Sequence, residues 1–541
     1  MQSTMMNYPL TLDHILERAG TFFSDVQIVS NMPDKRLHRH TYGDFHQRAK
    51  ALAEMLIRSG IRPGDRVATL MWNHYAHLEA YFGVPAAGAV LHTLNLRLAP
   101  DDLAYIVDHA EDQILIVDDV LLPLLARIED KVHFKHIWVV PLTGKPVPEP
   151  FEDYEGILAQ ARGDFVYPEK DENDPCGMCY TSGTTGRPKG VVYSHRSTVL
   201  HSLASALPDS VGISFNDVAV PVVPMFHANA WGFPYSCTMV GSQLVFPGPH
   251  LDAESLLNLY ESEKVTLTAG VPTIWMGILQ ALDANPDRWK LANMRMVVGG
   301  SAVPESMIRR FDRFGLNVIQ GWGMTETSPL AAISRLKPAQ ASQSDDERYA
   351  YRAMQGLPCP FVDLRITDER DQAQAWDGKA VGEIQVRGPW ITGAYYRLDK
   401  DAASDKFAAD GWLRTGDVAV VDPDGYIKIT DRTKDLIKSG GEWISSVELE
   451  NAIMGHPEVA EAAVIAVAHP KWGERPLAVV VRKAQSELTR KQLSEFLQSK
   501  LPKWMCPEGY VFESEIPRTS TGKFNKLALR QGFKDWRWDS E

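Results

Sequence analysis

The chain is poor in cysteine, has no excess of positive charge and contains no long apolar run. Five scattered cysteines in 541 residues argue against a disulfide framework and fit a reducing compartment. Acidic residues (69) outnumber basic ones (56), and the net charge of −13 disfavours nonspecific binding to nucleic acid or anionic membranes. No apolar run reaches the roughly 18 residues of a membrane span, and no secretory signal is evident. We therefore expect a cytoplasmic protein.

The cysteines also give little support to a metal or redox site. Cys176 and Cys179 form a single CxxC pair, but no second pair of cysteines or histidines follows at the spacing of a zinc site. Both lie in an apolar, strand-like run. We interpret them as ordinary strand residues rather than as redox or zinc-binding groups.

The length and the alternating patterns predict a large α/β protein with several domains. Single hydrophobic cores stop growing beyond about 250–300 residues, and this chain has 541. β-like and helical patterns alternate through its first three fifths, which is typical of doubly wound α/β units. Thr41 is predicted to cap a helix with Phe45, Ala49, Leu52 and Leu56 on its apolar face. Strands are predicted at 66–72, 89–91, 114–117, 219–223, 244–246, 267–269, 296–298 and 318–320.

The predicted sheets indicate where a ligand would bind. In open α/β sheets, ligands bind at the carboxyl ends of the strands. The segments at 225–231, 299–303 and 321–327 follow predicted strands and are rich in polar and reactive groups. We expect the functional site among these three loops.

The pattern changes beyond residue 358. Short β-like runs separated by glycine turns predict a small antiparallel barrel or sheet. A charged run at 431–435 follows, which composition alone would make a solvated turn. A small α+β unit is predicted after it, with strands at 459–467 and 477–481. Its helix is predicted to carry on one side Leu488, Leu493, Phe496 and Leu497.

The segment TSGTTGRPKG at 181–190 has the composition of a phosphate-binding loop. Its glycines let backbone N–H groups approach oxygen atoms, its hydroxyls add donors, and Arg187 and Lys189 supply positive charge. It is not a Walker loop, because Lys189 lies three residues after Gly186 and is followed by Gly190. A flexible surface turn is the alternative, but the density of donors favours a nucleotide-binding loop of another type.

Three further segments, far apart in the chain, contain residues suited to a nucleotide. In QGWGMTET, Trp322 offers a flat face to a base and Glu326 offers an anionic oxygen to a metal ion. In WLRTGD, Asp417 follows a glycine and can accept from two ribose hydroxyls. In RTSTGKFNK, Lys523 follows a glycine near the end of the sequence. Four such segments together are far more specific than any one of them.

These four segments and DRTKDLIKSGGEW at 431–443 resemble the motifs of the adenylate-forming superfamily, in the same order and spacing. The superfamily contains acyl-CoA synthetases, adenylation domains and firefly luciferase, and the resemblance covers nearly the whole chain. MFHANAWG at 225–232 is most similar to medium- and long-chain fatty acyl-CoA synthetases. The resemblance implies an α/β fold in three parts. These are a large N-terminal domain at 1–430, made of two doubly wound α/β subdomains plus a small β-barrel, a hinge at 431–435, and a small mobile α+β C-terminal domain at 436–541.

The resemblance also implies a reaction. The superfamily joins a carboxylic acid to ATP, giving acyl-AMP and pyrophosphate, and the thiol of CoA then displaces AMP to form a thioester. Mg²⁺ is the implied metal ion, with ATP and CoA as cosubstrates. Because attack on the α-phosphate builds negative charge, prearranged positive charge should be the largest catalytic contribution. Lys523 is implied to supply that charge, from a domain that can move away after the first step.

The resemblance assigns further roles around the nucleotide. Thr184 and Glu326 are implied to hold the Mg²⁺ ion, and Asp417 to bind the ribose. Lys434 is implied to be the hinge pivot, which replaces the solvated-turn interpretation of the charged run. The residues implied to contact ATP or AMP are Thr181, Ser182, Gly183, Thr184, Thr185, Gly186, Lys189, Gly300, Ser301, Gln320, Gly321, Trp322, Thr325, Glu326, Asp417, Arg432, Lys434 and Lys438.

The acyl pocket is implied to be lined by His227, Trp231, Val271 and Thr273. Trp231 either gates a fatty-acid tunnel that opens once ATP binds, or closes a short pocket that selects small acids. His227 is a catalytic candidate that orients the substrate rather than acting as a general base, because the sequence identifies no carboxylate partner for it.

The path of the CoA thiol is implied to run along Gly440, Gly441, Glu442 and Trp443. The two glycines permit close approach of the backbone. Trp443 departs from the smaller residue that is common at its position in the superfamily.

Alternatives to a fatty acyl-CoA ligase remain. A CoA ligase for a short or aromatic acid, or an enzyme that loads acids onto a carrier protein, would use the same chemistry. A non-catalytic nucleotide-binding module should have lost at least one costly polar residue. The sequence retains all five that the resemblance implies, which are Thr184, Glu326, Asp417, Arg432 and Lys523. No nucleic-acid partner and no membrane span are expected, while peripheral membrane contact and a homodimer are compatible with the resemblance.

Overall fold

The computed structural model describes residues 1, 3–181, 187–301, 303–398, 405–440, 442–518 and 524–538. The strands are β1 (Gln27–Asn31), β2 (Leu37–Thr41), β3 (Arg66–Leu70), β4 (Val90–Thr93), β5 (Asp112–Asp118), β6 (His136–Val140), β7 (Glu152–Asp153), β8 (Pro175–Tyr180), β9 (Gly190–Ser194), β10 (Val218–Pro221), β11 (Gln243–Phe246), β12 (Leu267–Gly270), β13 (Met294–Val298), β14 (Leu316–Gly323), β15 (Leu330–Ile333), β16 (Leu357–Pro358), β17 (Asp363–Thr367), β18 (Gly382–Arg387), β19 (Leu413–Val421), β20 (Ile427–Arg432), β21 (Ile437–Ser439), β22 (Glu442–Ile444), β23 (Val459–His469), β24 (Gly473–Arg482) and β25 (Gly509–Glu513).

The helices complete the α/β alternation. They are α1 (Leu12–Phe22), α2 (Tyr42–Arg58), α3 (Tyr75–Ala86), α4 (Pro100–Ala110), α5 (Leu122–Leu125), α6 (Tyr154–Leu158), α7 (His195–Ala206), α8 (Phe233–Val240), α9 (Ala253–Glu263), α10 (Pro272–Ala284), α11 (Glu305–Asp312), α12 (Pro338–Ala341), α13 (Asp345–Arg352), α14 (Ser446–Met454), α15 (Arg490–Gln498) and α16 (Lys526–Gly532). In the part of the chain that the structure describes, none of them is long and apolar enough to cross a membrane.

The first large sheet has seven strands in the order β7-β6-β5-β3-β4-β8-β9. Its pairs are parallel except for β8 and β9, which are antiparallel. The phosphate-loop segment is therefore the connection of a β-hairpin. Cys176 and Cys179 lie buried in β8 as free thiols, which confirms them as strand residues. The predicted strands at 66–72, 89–91 and 114–117 correspond to β3, β4 and β5, with β3 ending two residues earlier than predicted.

The second large sheet has nine strands in the order β16-β15-β14-β13-β12-β10-β11-β1-β2. Its five central predicted strands are all present, as β10 to β14. The prediction of a loop beginning at Gly321 was wrong, because β14 continues to Gly323. Gly321 pairs with Ile333 and Trp322 with Ala332 of the antiparallel strand β15. The motif around Trp322 is thus held by pairing with β15, while the pairing of β14 with β13 ends at Gln320.

Helix α2 shows how local sequence places the core. The side chain of Thr41 accepts from the backbone N–H of Asp44, and the Asp44 carboxylate accepts from the N–H of Thr41 at 2.8 Å. The predicted cap is therefore confirmed, and such a cap is worth about 1 kcal/mol. Phe45 and the other apolar residues predicted for this face are fully buried. They belong to one apolar cluster with residues of both large sheets, so the sheets share a continuous core.

Two smaller sheets follow. The module predicted as a small barrel or sheet has four antiparallel strands in the order β17-β18-β19-β20. A five-stranded sheet contains β21 to β25 and packs with α14 and α15 around a separate apolar cluster. Its predicted strands are parts of β23 and β24, and Leu493 and Leu497 are buried on α15. Leu488 is buried too, but it precedes the helix, whose cap is Thr489.

The charged run at 431–435 lies where these two smaller sheets meet. Asp431 is 1% exposed, and its Oδ2 accepts from the backbone N–H of Ser446 at 2.5 Å. Asp435 pairs with Arg530 at 2.5 Å. The solvated-turn interpretation is therefore wrong for Asp431, whose carboxylate is used inside the protein.

Candidate active site

A cavity of about 510 Å³ lies at the carboxyl ends of both large sheets. Residues that follow β8, β10, β12 and β13 contribute to its walls, as do the end of β14 and the segment after it. This is the position expected for a ligand in an open α/β sheet. Residues of all three predicted segments border the cavity, although the first three residues of 321–327 belong to β14. The predicted site residues that line it are Thr181, Lys189, His227, Trp231, Val271, Gly300, Gly321, Trp322, Thr325, Glu326, Arg432 and Lys434.

Several predicted residues lie outside the described part of the chain. They are Ser182, Gly183, Thr184, Thr185, Gly186, Gly441 and Lys523. Their roles stay predictions. The residues flanking the phosphate loop are described, and the backbone N–H of Thr181 donates to the carbonyl of Lys189 at 2.9 Å, so the hairpin is closed at its base.

The cavity is rich in positive charge although the whole chain is acidic. The cavity is lined by the cationic side chains of Arg187, Lys189, Lys406, Arg432 and Lys434. Burial, together with the neighbouring charges of Arg432 and Lys406, lowers the pKa of Lys434. Burial is the larger cause of this shift, and the two neighbouring cations add to it. With five cationic side chains in its lining, this part of the cavity is suited to a polyphosphate.

Glu326 brings a buried carboxylate to the same wall. Its Oε1 accepts from the hydroxyl of Tyr395 at 2.7 Å, and the ammonium of Lys189 lies 5.0 Å from the centre of the Tyr395 ring. Burial and the Glu326 carboxylate raise the pKa of Tyr395, so the phenol keeps its proton and donates it. Tyr395 thus positions both an acid and a cation of the cavity.

Trp322 and Asp417 form a second fixed group. The indole Nε1 donates to Asp417 Oδ2 at 2.9 Å, and Arg432 Nε lies 3.0 Å from Asp417 Oδ1. Asp417 and Arg432 are direct partners in the pairing of β19 with β20. Both carboxylate oxygens keep acceptor capacity for a further donor. The structure thus joins Trp322, predicted to face the base, with Asp417, implied to bind the ribose.

Trp231 lies on an unusual turn. Ala228, Asn229, Ala230 and Trp231 all have positive φ, between 41° and 56°, which costs a non-glycine residue roughly 1–2 kcal/mol. Asn229 is fixed by the Cys179 thiol, which donates to its Oδ1 at 3.3 Å. The Trp231 ring packs over Gly299, where an added Cβ would lie 2.9 Å from the indole. The indole therefore packs against the end of β13 and forms part of the cavity wall.

The apolar part of the cavity contains Val211, Trp231, Phe233, Val271, Val297 and Leu330. His201 supports it from behind, because its Nε2 accepts from the backbone N–H of Leu330 at 3.2 Å. Burial lowers the pKa of His201 to about 4, so the imidazole is neutral near pH 7. His227 lines the cavity as well.

Some predicted residues are not part of the cavity lining. The side chain of Gln320 binds the backbone instead. It accepts from the N–H of Val303 at 3.1 Å and donates to the carbonyl of Arg352. Thr273 lies in the first turn of α10 and Ser301 lies in the segment after β13, and neither residue lines the cavity. Gln320 therefore positions the 299–303 loop instead of contacting the cavity.

The described residues predicted for the CoA path lie at the hairpin of the small C-terminal sheet. Trp443 and Glu442 are exposed on β22, and the Lys438 ammonium lies 5.0 Å from the Trp443 ring centre. Gly440 has φ +61°, and an added Cβ would lie 2.9 Å from the ring of Trp472. None of these residues borders the cavity described above.

The structure also shows site residues that sequence reasoning missed. Tyr395 and Lys406 line the cavity, and the hydroxyl of Tyr193 donates to the carbonyl of Thr325 at 2.9 Å. Tyr395 stands in GAYY after a glycine turn, which is a weak signal that alone predicts only a surface loop.

Comparisons with known proteins agree with this geometry. A family described as AMP-binding enzyme matches residues 17–396, and one described as AMP-binding enzyme C-terminal domain matches residues 448–523. A long-chain-fatty-acid–CoA ligase of Thermus thermophilus is 50% identical, over 99% of this chain and 97% of the relative. A 3-methylmercaptopropionyl-CoA ligase of Ruegeria lacuscaerulensis is 44% identical over 99% of both chains.

A solved structure supports the fold. The crystal structure of an anthranilate CoA ligase in complex with anthranoyl-AMP has a TM-score of 0.86, covers 99% of each chain and is 23% identical. The predicted α/β fold class is confirmed by this likeness.

Proposed function

The chain belongs to the family of AMP-binding enzymes, and we propose that it is an AMP-forming acyl-CoA ligase that converts a medium- or long-chain fatty acid to its CoA thioester. One observation supports this most directly. A single cavity combines a cationic region suited to polyphosphate with an apolar region suited to an acyl chain. An enzyme that joins ATP to a fatty acid needs both regions next to each other.

In the first step, a carboxylate oxygen of the acid attacks the α-phosphorus of ATP. The bond to the bridging oxygen of the β-phosphate breaks, and pyrophosphate leaves with its electron pair. Lys189 and Arg187 stand at the end of the phosphate loop and stabilise the leaving charge. Lys523 is proposed to neutralise the charge that builds on the α-phosphate.

The residues present fit a Mg²⁺ ion. Proteins bind Mg²⁺ through one or two carboxylates together with phosphate oxygens and waters, and Glu326 offers a buried carboxylate beside the cationic wall. Glu326 would hold the ion together with the hydroxyl of Thr184. When bound, the ion would neutralise charge on the phosphates. Tyr395 keeps one oxygen of Glu326 occupied and so orients the other.

In the second step, the sulfur of CoA attacks the acyl carbon and the thiol gives up its proton. The carbon–oxygen bond to the phosphate breaks, and AMP leaves with the electron pair. Of the residues proposed for the CoA path, Gly440 follows β21 and Glu442 and Trp443 lie on β22, and none of these three borders the cavity. The small C-terminal unit must therefore change its orientation between the steps. We propose residues 431–435 as the hinge, with Lys434 as its pivot.

The identity of the acid is the finer part of the proposal. The apolar lining favours an alkyl chain, and one relative carries the name of a long-chain-fatty-acid–CoA ligase. The Trp231 indole in the cavity wall and the relative named for 3-methylmercaptopropionate favour a short acid as the second candidate.

An exchange experiment tests the function. Exchange of labelled pyrophosphate into ATP is measured with saturating Mg·ATP and single acids from butyrate to palmitate, with 3-methylthiopropionate and benzoate. We expect exchange with fatty acids and AMP-forming thioester synthesis with free CoA. No exchange with any acid would refute the ligase, and a preference for 3-methylthiopropionate would select the second candidate. Acylation of a carrier protein's phosphopantetheine but not of CoA would assign a carrier-loading enzyme.

The setting of the enzyme is also proposed. Its five cysteines are free and buried, which supports a reducing compartment such as the cytoplasm. Peripheral membrane contact and a homodimer stay predictions.

A further inference from the structure

The loop between α7 and β10 reaches the cavity although it contains none of the predicted site residues. Val211 lies in this loop, lines the cavity and is 3% exposed. Its neighbour Gly212 has φ +72°, and the loop is buried around it, with Ser210 and Ile213 both under 4% exposed. A side chain so enclosed is part of a fixed wall.

Two arginines fix the loop through its carbonyl groups. Arg295 Nη1 donates to the carbonyls of Val211 at 2.8 Å and Gly212 at 2.7 Å. Arg335 donates to the carbonyls of Ser210 at 2.7 Å and Val211 at 3.2 Å. Buried carbonyls with charged donors form strong hydrogen bonds, so the position of Val211 is well determined.

The same arginine is anchored at the far end of the loop. Arg295 Nη2 lies 2.5 Å from Asp217 Oδ1, and Asp217 also accepts from the hydroxyl of Thr266 at 2.8 Å. Asp217 Oδ2 accepts from the backbone N–H of Ser214 at 2.9 Å. The loop is thus closed on itself and attached to the sheet.

Strand β13 gives the depth of Val211 in the cavity. Alternate residues of a strand share a face, so Arg295, Val297 and Gly299 follow one another down the cavity side of β13. Gly299 lies at the carboxyl end under Trp231, Val297 lines the cavity, and Arg295 holds the loop. With a rise of about 3.3 Å per residue, Arg295 lies roughly 13 Å below Gly299. Val211 is therefore held near the deep end of the apolar lining.

We propose that Val211, fixed by Arg295 and Arg335, is the floor of the acyl pocket and determines the longest acid that the enzyme activates. This inference rests on the proposed function, because it assigns the apolar lining to the acyl chain. Phe233 and Leu330 form the sides of the same pocket. A change of side-chain volume at the floor alters how the end of the acyl chain fits. One methylene in an apolar pocket changes the ratio of kcat/KM between two acids by about 10-fold or more.

The test compares Val211→Ala and Val211→Phe with the wild type. Pyrophosphate exchange is measured as kcat/KM for straight-chain acids from butyrate to palmitate. Val211→Ala should move the optimum to longer acids. Val211→Phe should lower kcat/KM at least 10-fold for the longest acid accepted and leave the shortest within about 3-fold. The KM for ATP should stay unchanged, since the nucleotide region is untouched.

Two further variants separate this role from a general loss of packing. Val245→Ala is the matched control, since Val245 is fully buried in the apolar cluster on the other side of the sheet. It should lower the melting temperature without moving the optimum. Arg335→Met keeps Val211 but removes the hydrogen-bond donors to the carbonyls of its loop. Because Val211 is then less well fixed, kcat/KM should depend less on the chain length of the acid.

The outcomes distinguish this inference from the proposed function. If the wild type activates no acid, the proposed function itself is wrong. If it activates fatty acids and both Val211 variants keep its chain-length profile, only the assignment of the floor is overturned. A shift of the optimum in Val245→Ala equal to that in Val211→Ala would also overturn it.

Discussion

The cavity and the C-terminal hairpin formed by β21 and β22 differ in how far they are assembled. In the cavity, Trp322 is 7% exposed and hydrogen-bonded to Asp417, and Glu326 is equally buried and bonded to Tyr395. On the hairpin, Trp443 is 46% exposed and borders no part of the cavity. The described polar groups of the cavity are thus fixed in place, whereas the hairpin residues proposed for thioester formation would have to move to reach it. Substitutions in the two regions should therefore affect different half-reactions.

The largest expected effect comes from Lys523→Ala. Removal of a prearranged charge should lower the rate of pyrophosphate exchange by roughly 10² or more. Binding of ATP and the reaction of preformed acyl-AMP with CoA should persist, because the cationic cavity wall and the hairpin are unaltered. Exchange and single-turnover thioester formation are measured separately. Lys503→Ala, at an exposed position of the same domain, is the control, and unchanged exchange in Lys523→Ala would reject the role.

A smaller effect is expected from Tyr395→Phe. The ring that carries the Lys189 contact remains, but the hydrogen bond to Glu326 is lost. A hydrogen bond to a charged group is worth about 1.5–3 kcal/mol, so exchange should fall by about 10-fold or more. The Mg²⁺ concentration for half-maximal exchange should rise, because the Glu326 carboxylate is less well oriented.

The adjacent tyrosine supplies the control for that change. Tyr396→Phe removes a hydroxyl one residue away and should leave the Mg²⁺ dependence within about 2-fold, since no contact of Glu326 involves Tyr396 among the described residues. Equal effects of the two substitutions would contradict the role of Tyr395.

The fold could be predicted largely from sequence because it depends on local patterns. Buried parallel strands are short apolar runs with polar loops at their carboxyl ends, and the strands from β10 to β14 lie where those runs predict them. The cap at Thr41 is equally local. Errors occurred at boundaries, as at Gly321, where pairing with β15 extends a strand through residues that look like a loop.

The site could be predicted only where its residues lie in recognisable motifs. Trp322, Glu326 and Lys434 line the cavity as the motifs indicate. Tyr395 acts on Glu326 from 69 residues away, and no local pattern encodes that contact. Gln320 lies within a matching motif, but its side chain is used by Val303 and Arg352. A motif does not determine which face of a strand a side chain takes.

Trp443→Ala should affect only the second half-reaction. Because Trp443 borders no part of the cavity, exchange should stay within about 2-fold of the wild type. Loss of a contact worth about 1.4 kcal/mol would raise the KM for CoA by about 10-fold. Trp376→Ala, at another exposed tryptophan, should change neither quantity. A fall in exchange with unchanged KM for CoA would reverse the assignment of the two regions.

The smallest expected effect concerns the pH dependence of the cavity wall. Burial lowers the pKa of His201 to about 4 from an ordinary 6.5. Below pH 6.5 the imidazole of His201 is protonated in the unfolded chain but stays neutral in the folded chain. The free energy of unfolding therefore falls as the pH falls from 6.5 to 4. The slope from this group is at most about 1.4 kcal/mol per pH unit.

His201→Gln can still accept from Leu330 but cannot be protonated, so its urea midpoint should depend less on pH in this range. His133→Gln, at an exposed position, should keep the wild-type dependence. Equal pH slopes for wild type and His201→Gln would show that the imidazole is not held neutral, and that the apolar wall beside Leu330 is more open to water than its burial indicates.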